Sequence, residues 1–248
     1  MEPALFHDML ELESEHWWLL GRGELLASLV ASECERRGWQ VERLVDVGSG
    51  TGAILERLGS LADEVVGVES DPVPLRMSAE RGLDVRAGRA DSLPFSEETV
   101  DVLTAFDVLE HLPDDVAAVR EFHRVLRPGG SAIVSVPAYQ WLWSSHDVVH
   151  GHRRRYTSGS LAEALRAGGL RVRRRGYFNA WLFPAAAAVR LAGRIVRRPP
   201  ASDLARVPVR LNAVLLRILR SERPRVLDGG FPAGLSAFAV ADRPGVTA

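Results

Sequence analysis

Residues 44–52 read Leu44-Val-Asp-Val-Gly-Ser-Gly-Thr-Gly52, and the fold turns on this stretch. A short apolar run (Leu44, Val45, Val47) carries one carboxylate, Asp46, into a loop with Gly48, Gly50 and Gly52. Apolar, β-branched residues before the loop suit a buried parallel strand. Ala53-Ile-Leu-Glu-Arg-Leu58 after it suits the start of a helix. Glycine at every second position removes the Cβ atoms that would hold a ligand off the backbone. The spacing is G-x-G-x-G and not the G-x-G-x-x-G of the dinucleotide fingerprint. Glycine turns between strand and helix are common, so the loop takes its meaning from the segments downstream of it.

From Leu44 onward strand and helix patterns alternate. Glu64-Val-Val-Gly-Val-Glu69 is a second apolar strand ending in a carboxylate, 17 residues beyond Gly52. A helix near Pro74–Arg81 and a short strand at Leu83–Ala87 lead to Gly88-Arg-Ala-Asp91-Ser92. Asp101–Ala105 is a fourth strand, opening into Phe106-Asp107-Val-Leu-Glu110-His111. A helix over Asp114–Leu126 stops at Arg127-Pro-Gly-Gly130, and Ser131–Pro137 is the fifth strand. Leu170–Tyr177 and Leu235–Asp242 supply strands six and seven. This order implies a doubly wound, mostly parallel sheet with ligands at the carboxyl ends of its strands.

The segments VDVGSGTG, VVGVESD, RAGRADSLPF, FDVLEHLPD and RVLRPGG resemble, in order and spacing, the class I S-adenosylmethionine-dependent methyltransferases. The resemblance covers about Leu44 to Pro137 and, weakly, the final strand. It implies a seven-stranded α/β Rossmann-like fold with the last strand antiparallel, and S-adenosylmethionine as cofactor. Carried over by position, Gly48, Ser49, Gly50 and Gly52 pass under the methionine and ribose, and Asp46 orients the loop or the amino group. Glu69 accepts from both ribose hydroxyls, a pair one carboxylate can serve. Ser70 flanks the adenine, Asp91 with Ser92 meets its edge, and Phe106 and Asp107 lie beside the methionine. The plainer alternative for each acid is a helix cap or a surface residue. For His111 a structural place at a helix entry is preferred over a base.

The formal charge of -1 conceals an asymmetry. Residues 1–150 hold 12 Arg against 27 acids, a net -15, whereas residues 151–225 hold 18 Arg against 3 acids, a net +15. Such a split points to an anionic substrate, a membrane surface or attraction between the two halves. All 31 basic residues are arginine, which is read as genome composition. The single Cys34 excludes an intrachain disulfide framework, and no leader pattern opens the sequence, so a cytoplasmic protein is expected, with peripheral contact at the inner face of a membrane as an option.

The segment from Pro137 to Thr157 places aromatics, His146, Asp147, His150, His152 and Arg153-Arg-Arg155 in a loop expected at the ligand edge. As a metal site, His146, Asp147, His150 and His152 have suitable donors but no second cluster supports them, so no metal is expected. The loop could also be a structural lid. The preferred reading combines an anion grip by Arg153–Arg155 with His146 or His152 as the catalytic base and Asp147 setting a tautomer.

The chain divides into four expected regions: an N-terminal helical lid segment (1–40), a cofactor-binding α/β core (41–177), a basic helical insertion capping the substrate (178–230), and the final strand with its tail (231–248). Trp17 and Trp18 in the first region are core anchors or walls of a ligand cleft, with core packing preferred. Strand six runs parallel to its neighbours, so the insertion after it should cover the active site. Its two helical patterns carry Arg190, Arg194 and Arg197, then Arg210, Arg217 and Arg220. Their apolar faces are expected to pack on the lid or on a twin subunit, with anionic membrane as the alternative. Nucleic acid is not expected, because no stacking aromatics interleave the basic run. The function expected is methyl transfer, to oxygen, on an anionic small-molecule, glycan or lipid-linked acceptor. Its rivals are a cofactor-dependent cyclase-type reaction and a non-catalytic binding protein with this fold.

Overall fold

A computed structural model describes residues 3–38, 40–193 and 207–245. Seven strands form one sheet: β1 (Arg43–Val47), β2 (Glu64–Glu69), β3 (Val85–Ala87), β4 (Val100–Phe106), β5 (Leu126–Pro137), β6 (Arg171–Phe178) and β7 (Ser236–Asp242). Their order is β3-β2-β1-β4-β5-β7-β6, and β7 is antiparallel to both its neighbours. The order reverses between β1 and β4, which opens a crevice at their carboxyl ends. Strand alternation supplies two cores, one on each face. Val45, Leu103 and Val134 face one, while Leu44, Val102 and Ile133 face the other.

The helices are α1 (Pro3–Leu12), α2 (Trp17–Arg37), α3 (Ala53–Leu58), α4 (Pro72–Glu80), α5 (Asp115–Val125), α6 (Ser145–Val149), α7 (Ser158–Ala167), α8 (Phe183–Gly193), α9 (Val209–Ser221) and α10 (Arg223–Leu227). Asp71, Asp114 and Thr157 cap α4, α5 and α7 by accepting from backbone N–H groups in the first turn. The fifth strand starts earlier than its apolar pattern suggests, at Leu126. Backbone bonds from Gly129 to Arg243 and from Arg243 to Gly130 hold the Pro-Gly-Gly excursion onto the sheet.

The N-terminal segment and the insertion meet. A Cβ on Gly21 of α2 would lie 2.9 Å from Leu216 and Leu219 of α9, so glycine permits this close crossing. The side chain of Asn212 in α9 accepts from Trp17 N–H and donates to the Glu15 carbonyl, each at 2.8 Å. Arg220 forks onto Glu24 of α2. Among the readings of the charge split, mutual attraction is what the ion pairs realise: Arg154 meets Asp115, Arg155 meets Asp147, and Arg173 meets Glu33. Arg194 and Arg197 lie outside the described residues. Among the described residues no helix is long and apolar enough to cross a membrane.

Candidate active site

A cavity of about 840 Å³ opens at the carboxyl ends of β1, β2 and β4, roofed by α1, α2, α8 and α9. Its floor is the glycine loop, whose three glycines have different jobs. A Cβ on Gly48 would lie 2.5 Å from Val108, and one on Gly52 would lie 2.3 Å from Leu83. Gly50 adopts φ +56° with nothing within 4 Å of its Cβ position, so this is the residue that keeps the floor clear. Gly52 is a packing and helix-entry residue and does not line the cavity. Ser92 does not line it either; its N–H closes a turn on the Arg89 carbonyl. The sequence pattern places both at the cofactor, and local chain geometry places them elsewhere.

The other nine expected cofactor residues line the cavity: Asp46, Gly48, Ser49, Gly50, Glu69, Ser70, Asp91, Phe106 and Asp107. The buried Glu69 carboxylate accepts from Gly50 N–H at 3.0 Å, Ser70 N–H at 2.7 Å and Asp71 N–H at 2.9 Å. It therefore clamps the glycine loop to the end of β2 and still has acceptor capacity. Asp46 is 3% exposed. Burial pushes its carboxyl up to about 7, against the opposing bond from Thr104 Oγ1 at 2.6 Å. Asp91 is gripped by the Arg89 fork, which holds its carboxyl below the ordinary value.

Asp107 sits just past β4 with φ +57°, and Asn179 just past β6 with φ +54°. Left-handed backbone at a residue other than glycine is costly, and here it bends the chain around the cavity mouth. Arg22 of α2 reaches Asp107 at 2.6 Å. Glu13 accepts from Thr51 Oγ1 and pairs with Arg81, which fastens the N-terminal segment over the glycine loop. Neither tie is evident from sequence; the polar residues between Glu13 and Glu24 are the only signal. Trp17 and Trp18 wall the cavity and pack against the core behind it.

The opposite wall is the loop after β5. Asp147 is wholly buried and accepts from Arg155 Nε at 2.6 Å, Arg155 Nη2 at 2.9 Å and Ser144 N–H at 2.8 Å, and its Oδ1 lies 2.9 Å from His152 Nδ1. Burial alone would raise its carboxyl, but these donors outweigh it and hold the group well below the usual carboxylate range. The expected anion grip does not form. Arg153 and Arg154 donate to the carbonyls of His111, Leu112 and Pro113, and Arg155 is locked on Asp147, so the three guanidinium groups tie the loop down.

His146, His150 and His152 line the cavity together with His111. Ring centroids are 4.1 Å apart for His146 and His150, and 4.8 Å for His111 and His152. Burial, followed by the field of His152, pushes His111 down to about 4. Glu110 beside it is completely buried and neither carboxylate oxygen has a hydrogen-bond partner. Burial and the neighbouring Asp107 raise its carboxyl well above the ordinary value.

A family model described as a methyltransferase domain matches residues 45–134. A Mycolicibacterium smegmatis protein bearing the name probable S-adenosylmethionine-dependent methyltransferase is 30% identical over 165 residues, which is 65% of this chain and 62% of that protein. A Mycobacterium avium methyltransferase is 30% identical over 172 residues, 66% of this chain and 61% of that protein. The chain thus spans about three fifths of the length of these relatives. Among solved structures, a Thermotoga maritima S-adenosylmethionine-dependent methyltransferase superposes with TM-score 0.60 at 20% identity, covering 98% of this chain and all (100%) of that one. The [4+2]-cyclase SpnF superposes with TM-score 0.56 at 23% identity, covering 88% and 81%. With the sheet order, the glycine floor and the methyltransferase-domain match over residues 45–134 together, the chain has the fold of the class I S-adenosylmethionine-dependent methyltransferases and is similar to them in sequence.

Proposed function

We propose that this chain transfers the methyl group of S-adenosylmethionine to an oxygen atom of a small-molecule, glycan or lipid-linked acceptor. The observation that carries the reading is a single cavity with the glycine loop, Glu69 and Asp91 on one wall and a histidine cluster on the other. The cradle fits the cofactor: the place of a Gly50 Cβ is clear, and a buried carboxylate with acceptor capacity stands at Glu69. Bound there, S-adenosylmethionine supplies a methyl carbon already activated by its positively charged sulfur. Glu69 would hold the ribose hydroxyls, Asp91 the exocyclic amine, and Asp46 the amino group, with Ser49, Ser70, Phe106 and Asp107 packed along the length.

The chain's remaining work is to hold the acceptor oxygen in line and to exclude water. His152 can donate Nδ1–H to Asp147, which leaves Nε2 with a lone pair for the acceptor's proton; His146 is the alternative base. Because Arg153–Arg155 hold the loop, the anion-binding reason for a charged acceptor falls away. Walls such as Trp17, Trp18, Leu182 and Val189 favour an apolar acceptor bearing a hydroxyl.

Calorimetric titration with S-adenosylmethionine tests the reading, and no heat at millimolar cofactor with folded protein sinks it. Appearance of S-adenosylhomocysteine separates methyl transfer from cyclase-type chemistry. Replacing His146 and His152 singly should slow turnover while cofactor affinity holds; unchanged turnover in both removes them as bases. Val189, Leu191, Val209, Leu211 and Val214 are exposed on α8 and α9, which supports peripheral contact with an anionic membrane. Flotation with anionic vesicles at low salt tests that contact, and sedimentation tests the homodimer that would cover the same face instead.

A further inference from the structure

We propose that Glu110, His111 and His152 form a binding site for one divalent transition-metal ion of the zinc class. One ligand atom from each residue lies within 4.8 Å of the others. Glu110 and His111 sit on a short 3-10 turn following β4, and His152 arrives from the loop after β5. A backbone bond from Arg153 N–H to the Glu110 carbonyl, 2.8 Å, pins the two segments side by side. Ligand distances of about 2.0–2.2 Å require the side chains to close by roughly 1 Å.

Two independent observations point to an ion. The first is the state of Glu110: wholly buried on the cavity wall, with both oxygens lacking a partner. A carboxyl placed so is neutralised by a proton or by a cation, and a divalent cation also gives its two orphaned oxygens a partner. The second is the way the imidazoles are held. His152 turns Nδ1 to Asp147 at 2.9 Å, and Asp147 is itself locked by Arg155. His111 is hydrogen-bonded to the Gly151 backbone carbonyl. Each ring therefore has one nitrogen fixed as a donor and the other left as a lone pair. That is the outer support a metal-bound histidine needs, and a carboxylate–histidine pair also raises ligand basicity.

Two imidazoles with one carboxylate select zinc, cobalt, manganese or iron over magnesium and calcium, which prefer all-oxygen sites. Three protein ligands leave a further position open, and all three residues line the cavity. This differs from the set suggested by residue spacing alone, because Asp147 is occupied by Arg155 and serves behind His152. Binding of the ion does not depend on the proposed methyl transfer. Only its use rests on that reading: an acceptor hydroxyl would take the open position, with His152 a ligand and no longer a base.

The test is titration of chelator-treated, full-length protein with Co²⁺, followed by visible absorption, and with Zn²⁺ by calorimetry. One ion per chain is expected, with ligand-field bands in the Co²⁺ form. Glu110→Gln, His111→Ala and His152→Ala should each weaken binding at least ~10-fold, while His123→Ala, outside the cavity, should not. Far-UV circular dichroism and S-adenosylmethionine titration on the same samples establish that each variant is folded. Absence of binding by the unaltered protein at millimolar Co²⁺ or Zn²⁺ overturns the site, as does unchanged affinity in folded Glu110→Gln and His152→Ala. If the cofactor binds and the metal does not, the metal site fails and methyl transfer stands. If the metal binds and the cofactor does not, the reverse holds.

Discussion

Cofactor affinity should depend on pH through Asp46. Its carboxyl is buried at the end of β1, and its pKa is raised to about 7 from an ordinary 3.8. If this group pairs with the cofactor's amino group, binding requires the ionised form. The ionised fraction climbs from ~3% at pH 5.5 to ~50% at pH 7.0, so affinity should rise ~15-fold over that interval, or ~1.6 kcal/mol. The window stops there because a free α-amino group itself begins to lose its proton near pH ~8. Calorimetry at pH 5.5, 6.25 and 7.0, repeated in buffers of different ionisation enthalpy, reads both the affinity and the proton released. Asp46→Asn serves as the control, since it removes this one carboxyl and leaves the rest of the cavity wall in place. A profile equally steep in Asp46→Asn, or one without proton release in the unaltered protein, would refute the reasoning. The same shift has a sign for the apoprotein. A folded pKa above the unfolded one means that stability is fully present below pH ~4 and is lost as pH rises through about 7. Melting temperature should therefore fall between pH 5 and 7.5, less so in Asp46→Asn.

The glycine loop should separate binding from folding. Gly50→Ala costs only ~1 kcal/mol of left-handed strain yet should cut cofactor affinity at least ~10-fold. Gly52→Ala, which collides with Leu83, should lower stability by ~2–3 kcal/mol in denaturant melts; equal stability losses in the two would contradict this division. Glu69→Gln loses one carboxylate oxygen as acceptor for three backbone N–H groups, so it should destabilise by ~1–3 kcal/mol and also weaken cofactor binding. Arg155→Met leaves the buried Asp147 without its fork and should cost ~3–5 kcal/mol at pH 7. Asp147's lowered pKa stabilises the fold above pH ~4, and that contribution disappears as pH falls further. A loss below ~1 kcal/mol for Arg155→Met at pH 7 would mean the pair is not the anchor it is drawn as.

Strand order and the cofactor wall are legible in the sequence because each depends on short local patterns. Leu44–Gly52, Val65–Glu69 and Asp101–Asp107 announce their strands by apolar runs and their ligand ends by a carboxylate or glycine at a fixed offset. Gly52 departs from its expected place because G-x-G-x-G does not say which glycine faces a ligand and which faces Leu83, 31 residues later. Arg153–Arg155 depart from theirs for a related reason. Three adjacent guanidinium groups look like an anion grip until the carbonyls of His111, Leu112 and Pro113, some forty residues earlier, turn out to need donors. Glu110 is visible as a letter, but its orphaned oxygens belong to the packed state alone.

Asn212 has a consequence for how the protein comes into being. The long helix beginning at Trp17 has no side-chain cap of its own at His16, and its first N–H is satisfied by a side chain 195 positions later. On the ribosome, that helix emerges well before Asn212 and must wait, with its leading end frayed, until α9 is made. The wall over the ligand cavity is thus a late closure between segments 195 positions apart, and on refolding the sheet should form before the cavity can hold a ligand.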